Sequence, residues 1–149
     1  MYSHILVPTD GSEVSQRGVD HALALAKALG ARVTIVTVTE PLPSYLGVPG
    51  AGFALGAEIM ATYDDQRAQF AADILTKAQQ EAVALGIPAS VLHVPNSHAA
   101  DAIVDAAKSL GAGLIVMASH GRRGLGRLLI GSQVSGVVNH STVPVLVVR

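Results

Sequence analysis

The chain has 149 residues, half of them hydrophobic and 14% charged, with a formal net charge of −1. That composition fits one domain with a sizeable core and excludes a disordered chain. A near-neutral balance and 3% aromatic residues argue against a nucleic-acid binder, and the absence of cysteine removes disulfides, thiolate zinc sites and thiol nucleophiles.

The opening residues, MYSHILVPTDGSE, lack a basic region followed by a long apolar stretch, and no apolar run approaches the ~20 residues that span a bilayer. A soluble, cytoplasmic domain is expected. Residues 3–8 (SHILVP) read as a buried first strand, ending in the turn cluster Thr9-Asp10-Gly11-Ser12, where Ser12 can cap a helix. In that helix Val14, Gly18, Ala22, Leu25 and Leu29 recur on one stripe, and Gly30 ends it. Residues 32–38 (RVTIVTV) are dense in β-branched side chains and form the second strand.

Residues 40–56 carry three prolines and several glycines without periodicity, the composition of a lid or binding loop. From Ala57 to about Leu85 the pattern is helical, with Phe70, Ile74, Ala78, Ala82 and Leu85 on one stripe. Residues 89–94 form the third strand. Asn96 or Ser97 can cap the next helix, whose inward face is Ala99, Ile103, Ala106 and Leu110. Residues 113–118 form a fourth strand, 132–140 a short helix with Val134 and Val138 inward, and 143–148 (VPVLVV) the last strand. No linker or internal repeat divides the chain, so residues 1–149 form a single domain.

Strands alternating with helices predict an α/β fold: a parallel sheet covered on both faces by right-handed crossovers. Ligands of such sheets sit beyond the carboxyl ends of the strands, where the strand order reverses. There Thr9-Asp10-Gly11 and Ser119-His120-Gly121 should face each other. The stretch after the fourth strand, SHGRRGLGRLLIGS, runs from a buried strand through a glycine-rich loop to a helix N-terminus. Such a helix start offers unpaired N–H groups and a positive dipole end to a phosphate. It is not a P-loop, because no Gly-Lys-[Ser/Thr] is present, and Gly124-Leu125-Gly126 does not complete a dinucleotide fingerprint.

These residues resemble the universal stress protein family along essentially the whole chain: VPTDGS at the first strand, Val38 ending the second, SHGRRGLGRLLIGS, and the terminal PVLVV. The nucleotide-binding branch has the pattern G-x2-G-x9-G-[ST]. Here Gly121, Gly131 and Ser132 match it, and Ala118 stands at the first glycine. The resemblance implies a five-stranded, doubly wound parallel sheet in the order 3-2-1-4-5, of the adenine-nucleotide alpha hydrolase kind. It implies ATP as ligand, with Mg or Mn, in a site drawn from Pro8, Thr9, Asp10, Val38, Ala118, His120, Gly121, Arg122, Gly131, Ser132, Gln133 and Val134. Asp10 would meet the ribose or a metal-bound phosphate, and the Val38 backbone the adenine edge. Gly121, Gly131, Ser132, Gln133 and Val134 would cradle the phosphates. A homodimer through the C-terminal strand (Val143, Val145, Leu146, Val147, Val148) is implied too, and covers an otherwise open sheet edge.

Simpler roles stand beside these. Asp10 can cap the first helix, and Arg122, Arg123 and Arg127 can be merely solvated. The six histidines show no metal-binding spacing, and Ser12, Ser119 and Ser132 have no recognisable base for a Ser-His-Asp hydrolase. The resemblance implies a role in the stress response. With no evident general base for water and no lysine committed to a γ-phosphate, that role is expected to be a sensor's or regulator's rather than an efficient enzyme's. Slow ATP hydrolysis or autophosphorylation, with Ser132 as acceptor, is compatible with it. The alternatives are a dimeric partner-interaction protein of the same fold without nucleotide, and a nucleotide-cleaving enzyme, which would want Ser-Gly-Gly-x-Asp-Ser after the first strand.

Overall fold

The structure, a computed structural model, describes residues 2–41, 53–119 and 131–149, those of 53–59 by their backbone. Strands and helices alternate as β1 (His4–Pro8), α1 (Glu13–Leu29), β2 (Arg32–Val38), α2 (Phe53–Ala84), β3 (Ala89–Val94), α3 (Ala99–Leu110), β4 (Leu114–Ala118), α4 (Ser132–His140) and β5 (Val145–Val148). The five strands form one parallel sheet in the order β3-β2-β1-β4-β5. The lid expected over 40–56 falls mostly on residues 42–52, outside those described.

The pleat sorts each central strand into two cores, which is why those strands read as unbroken apolar runs. Ile5, Val7, Val33, Ile35, Leu114 and Val116 pack with α1 and α2. Leu6, Val36, Ile115 and Met117 pack with α3 and α4. No described helix is long and apolar enough to cross a membrane.

The helices lie in the expected places, except that α2 begins at Phe53 rather than Ala57 and takes in the last four residues of the expected loop, but they are rotated. In α1 the buried side chains are Ser15, Gly18, Val19, Ala22, Leu23 and Ala26, whereas Leu29 is 46% exposed. In α2 they are Ala71, Leu75, Ala78 and Ala82, while Phe70 and Leu85 are 41% and 45% exposed. Leu110 of α3 is partly exposed, and in α4 Val137 points inward rather than Val138. In alanine-rich helices, steps of three and of four fit neighbouring stripes almost equally, so apolar spacing leaves the angle open by one residue.

Two ends also differ. α3 is capped by neither Asn96 nor Ser97: its N-cap is His98, and Asn96 takes the left-handed conformation (φ 51°) that its short amide tolerates in a turn. β5 begins at Val145 rather than Val143, because Ser141 Oγ donates to the Val143 carbonyl at 2.7 Å and accepts the Val143 N–H at 3.0 Å, holding that residue in a turn.

At the start of the sheet His4, only 4% exposed, carries a polar chain across three strands. Arg32 Nη2 lies 3.2 Å from His4 Nδ1, His4 Nε2 lies 2.8 Å from Thr34 Oγ1, and Thr34 Oγ1 lies 2.8 Å from Ser90 Oγ. A guanidinium can only donate, so Nδ1 accepts and the imidazole is the neutral Nε2–H tautomer. Burial first, and the Arg32 charge second, hold its pKa below 6.5. The unfolded chain therefore binds the proton more readily, and this contribution to stability is full above about pH 6.5 and is lost as pH falls toward the folded-state value. His93, shifted the same way by burial and then Arg67, adds in the same sense. His4→Gln, whose amide carries one acceptor and donors but does not titrate, is expected to flatten the rise of the urea midpoint between pH 5 and 7 relative to wild type. An unchanged slope would place His4 outside this balance.

Candidate functional site

The site begins where the sheet comes apart. β1 pairs with β2 through Pro8↔Val36, but with β4 only at Ile5↔Leu114 and Leu6↔Ile115. Beyond those pairs each strand is held by its other neighbour. The Thr9 N–H donates to the Val36 carbonyl at 2.9 Å, and the Thr37 hydroxyl to the Thr9 carbonyl at 3.0 Å. Across the gap, the Ser119 N–H donates to the Val148 carbonyl at 2.7 Å. The strand order reverses between β1 and β4, so this cleft is where such a sheet binds ligands.

On the β1 side Thr9, Asp10, Gly11 and Ser12 form a tight polar turn. The buried Thr9 hydroxyl accepts the Gly11 N–H at 3.2 Å and lies 3.0 Å from Ser15 Oγ. Asp10 Oδ1 accepts the Ser12 N–H at 3.0 Å, and Ser12 Oγ accepts the Ser15 N–H at 3.1 Å. Ser12 is thus the cap of α1, as expected, and Asp10 shapes the turn that delivers it. Gly11 has φ +75°, which favours glycine; a Cβ there would also meet the Ile74 side chain at 2.8 Å, a contact that Ile74 can relieve by moving.

On the other side the Gly131 N–H donates to the Ser119 carbonyl at 3.0 Å, tying the start of α4 to the end of β4. Gly131 is the N-cap of α4 and supplies no side-chain cap. The first intrahelical bond runs from the Ser135 N–H to the Gly131 carbonyl at 2.9 Å, so the N–H groups of Ser132, Gln133 and Val134 precede it. Ser132 is exposed, and Val134 places its side chain in the core. Gln133 sends its Oε1 to the Ala100 N–H at 3.1 Å, capping α3 from the neighbouring helix. Neither that cap nor the part of Thr37 was legible from sequence. A residue capping a helix 33 positions away has no local pattern, although the alternation in RVTIVTV does put Thr37 on the Val33–Ile35 face.

Ala118 is buried and keeps ordinary strand backbone, since among the described residues only Asn96 is a non-glycine with positive φ. The residue that makes room beside it is Gly18 of α1, whose Cβ would lie 3.0 Å from the Ala118 nitrogen. Pro8 and Val38 end β1 and β2, half-buried, and Val38 pairs with Val94. His120, Gly121 and Arg122, with Arg123 and Arg127, lie outside the described residues. Among those described, no group of three His, Asp or Glu side chains could hold a metal ion.

A parallel sheet in the order β3-β2-β1-β4-β5, with helices on both faces and a cleft at the switch point, defines a doubly wound α/β protein. The chain belongs to the universal stress protein family, whose model matches residues 1–149. It is 37% identical over 150 residues to a universal stress protein of Thermus aquaticus, covering 100% of both chains. The fold matches that of MJ0577 from Methanocaldococcus jannaschii with a TM-score of 0.84, at 26% identity over 99% of this chain and 96% of that one. It also matches a universal stress protein solved in complex with cAMP, with a TM-score of 0.68 at 29% identity over 99% and 97% of the two chains.

Proposed function

We propose that this protein is a cytoplasmic, ATP-binding regulator of the stress response, dimeric through its C-terminal strand. One observation carries the reading: β1 and β4 part beneath the start of α4, where the N–H groups of Ser132, Gln133 and Val134 precede the first helical bond. A phosphate is the natural partner of such a helix start. Asp10 across the cleft would take the ribose or a Mg or Mn ion carried by the phosphates, and the Val38 backbone the adenine edge. The relative solved with cAMP supports an adenine nucleotide as the ligand class. The dimer follows from β5, an edge strand on which Leu146 is 41% exposed.

Two measurements test the nucleotide. Mass spectrometry of small molecules released from protein purified from cells is expected to find ATP or ADP near one per subunit. Mg-ATP at 100 times its Kd is expected to add ~2.7 kcal/mol, raising the melting temperature by roughly 5–10 °C. An empty protein with no thermal response would instead favour a partner-binding dimer.

A further inference from the structure

A second polar cluster lies on the α2 side of the sheet, past the end of β2, and no step of the nucleotide reading uses it. Thr39 Oγ1 and His93 Nε2 lie 2.9 Å apart. Tyr63 and Arg67, both half-buried, lie on α2, which packs over β3: Gln79 Nε2 donates to the Ala89 carbonyl at 3.2 Å, and the inward stripe Ala82, Ala78, Leu75 and Ala71 continues to Arg67 toward the end of that strand. Arg67 Nη1 donates to the Tyr63 hydroxyl at 2.6 Å, and its guanidinium carbon lies 5.1 Å from the centre of the Tyr63 ring. Arg67 Nε is buried with no hydrogen-bond partner. The guanidinium charge is felt at His93, where after burial it is the second cause of the lowered pKa.

A guanidinium partly withdrawn from water with a donor unused is unfavourable unless an acceptor completes it. Of its five N–H donors one goes to Tyr63. The Tyr63 hydroxyl, having accepted that bond, keeps its own proton to donate, and His93, oriented by Thr39, has a second ring nitrogen. Where the Thr39 hydroxyl donates to Nε2, that second nitrogen carries the ring proton, and donors come from three residues rather than from one planar fork. A planar carboxylate satisfies the fork alone, whereas a tetrahedral phosphate offers oxygens in several directions.

We propose that Arg67, Tyr63 and His93 form an oxyanion site suited to a phosphate group, separate from the cleft between β1 and β4. The test is an NMR titration of the full chain with inorganic phosphate, following the His93 ring, with the backbone amides of Gln133 and Val134 as independent reporters of the cleft. A saturable His93 shift is expected, with its pKa rising toward the ordinary value as the anion offsets Arg67. Arg67→Gln should weaken that response about 10-fold or more, while Arg67→Lys retains part of it. The amides of Gln133 and Val134 should respond to ATP in Arg67→Gln as in wild type, whatever the phosphate result. A His93 signal indifferent to phosphate in wild type, or an Arg67→Gln response equal to wild type, overturns the proposal. Acetate saturating the site as tightly as phosphate overturns the phosphate assignment. Should Arg67→Gln not fold, the wild-type titration and Arg67→Lys decide the question alone.

Discussion

Gly18→Val is expected to lower the melting temperature by roughly 10 °C. A Cβ at residue 18 would lie 3.0 Å from the Ala118 nitrogen and 3.5 Å from the Met117 carbonyl carbon. Both are backbone atoms of a strand fully buried between helices, so no rotamer change relieves the contact. Overpacking of this kind costs about 1–3 kcal/mol or more, and a branched side chain against backbone lies at the upper end. For a domain of this size each kcal/mol moves the melting temperature by about 2–4 °C. Gly18→Ala is the informative companion. Removing a helical glycine contributes up to ~1 kcal/mol of propensity, which offsets part of the single-methyl clash. Its stability should stay near wild type while the end of β4, one wall of the cleft, is pushed. A Gly18→Val melt within a few degrees of wild type would show that α1 does not pack on β4 at this distance.

The same contact shows what a sequence can and cannot disclose. Strand positions and sheet order were legible because apolar runs of five to seven residues alternate with helical periods, and because the family resemblance spans every element. Helix rotation was not. Val134 and Val138 suggested one stripe, while the core takes Val134 and Val137, since residues three and four apart share a helix face. The glycine at 18 looked like one more small residue of a helical stripe, and only three dimensions reveal that its missing Cβ is where β4 runs.

For the cleft, the polar clusters after β1 and β4 were visible as sequence, and Ser12 was recognised as a cap. Their separation was not visible, because it depends on a ladder that stops after Leu6↔Ile115, a non-local fact. Ala118 was the apparent obstacle to a nucleotide site, because glycine at a motif position often signals positive φ. Its backbone is ordinary, which removes that objection, and a glycine 100 positions earlier makes room for its main chain; the methyl group counts only where a ligand comes close to it. Of the motif positions, Gly121 lies outside the described residues, while Ala118, Gly131 and Ser132 lie within them.

Ser132→Pro is expected to leave the fold standing and to weaken ATP binding by about 10- to 100-fold. Ser132 is the first residue of α4, and its N–H lies ahead of the first intrahelical bond. Proline suits that position: its fixed φ matches the helix, and the hydrogen it lacks has no helical acceptor. The residue before a proline must be extended, and Gly131 already is, at φ −56° and ψ 151°. The substitution therefore removes one N–H and one hydroxyl from the cleft and little else. A hydrogen bond to a charged group contributes about 1.5–3 kcal/mol, which corresponds to roughly a 10- to 150-fold change in affinity. Ser132→Ala, losing the hydroxyl alone, separates the two groups and should stay closer to wild type if the backbone carries the contact. Gln133 would be a poorer choice, because its side chain caps α3 at Ala100, so its loss would loosen the fold and the site together. Calorimetric titration with Mg-ATP beside thermal melts reads affinity and folding separately. A Ser132→Pro protein that melts and binds ATP like wild type would remove the Ser132 N–H and hydroxyl from the phosphate site, leaving only the N–H groups of Gln133 and Val134 at the start of α4 to hold it.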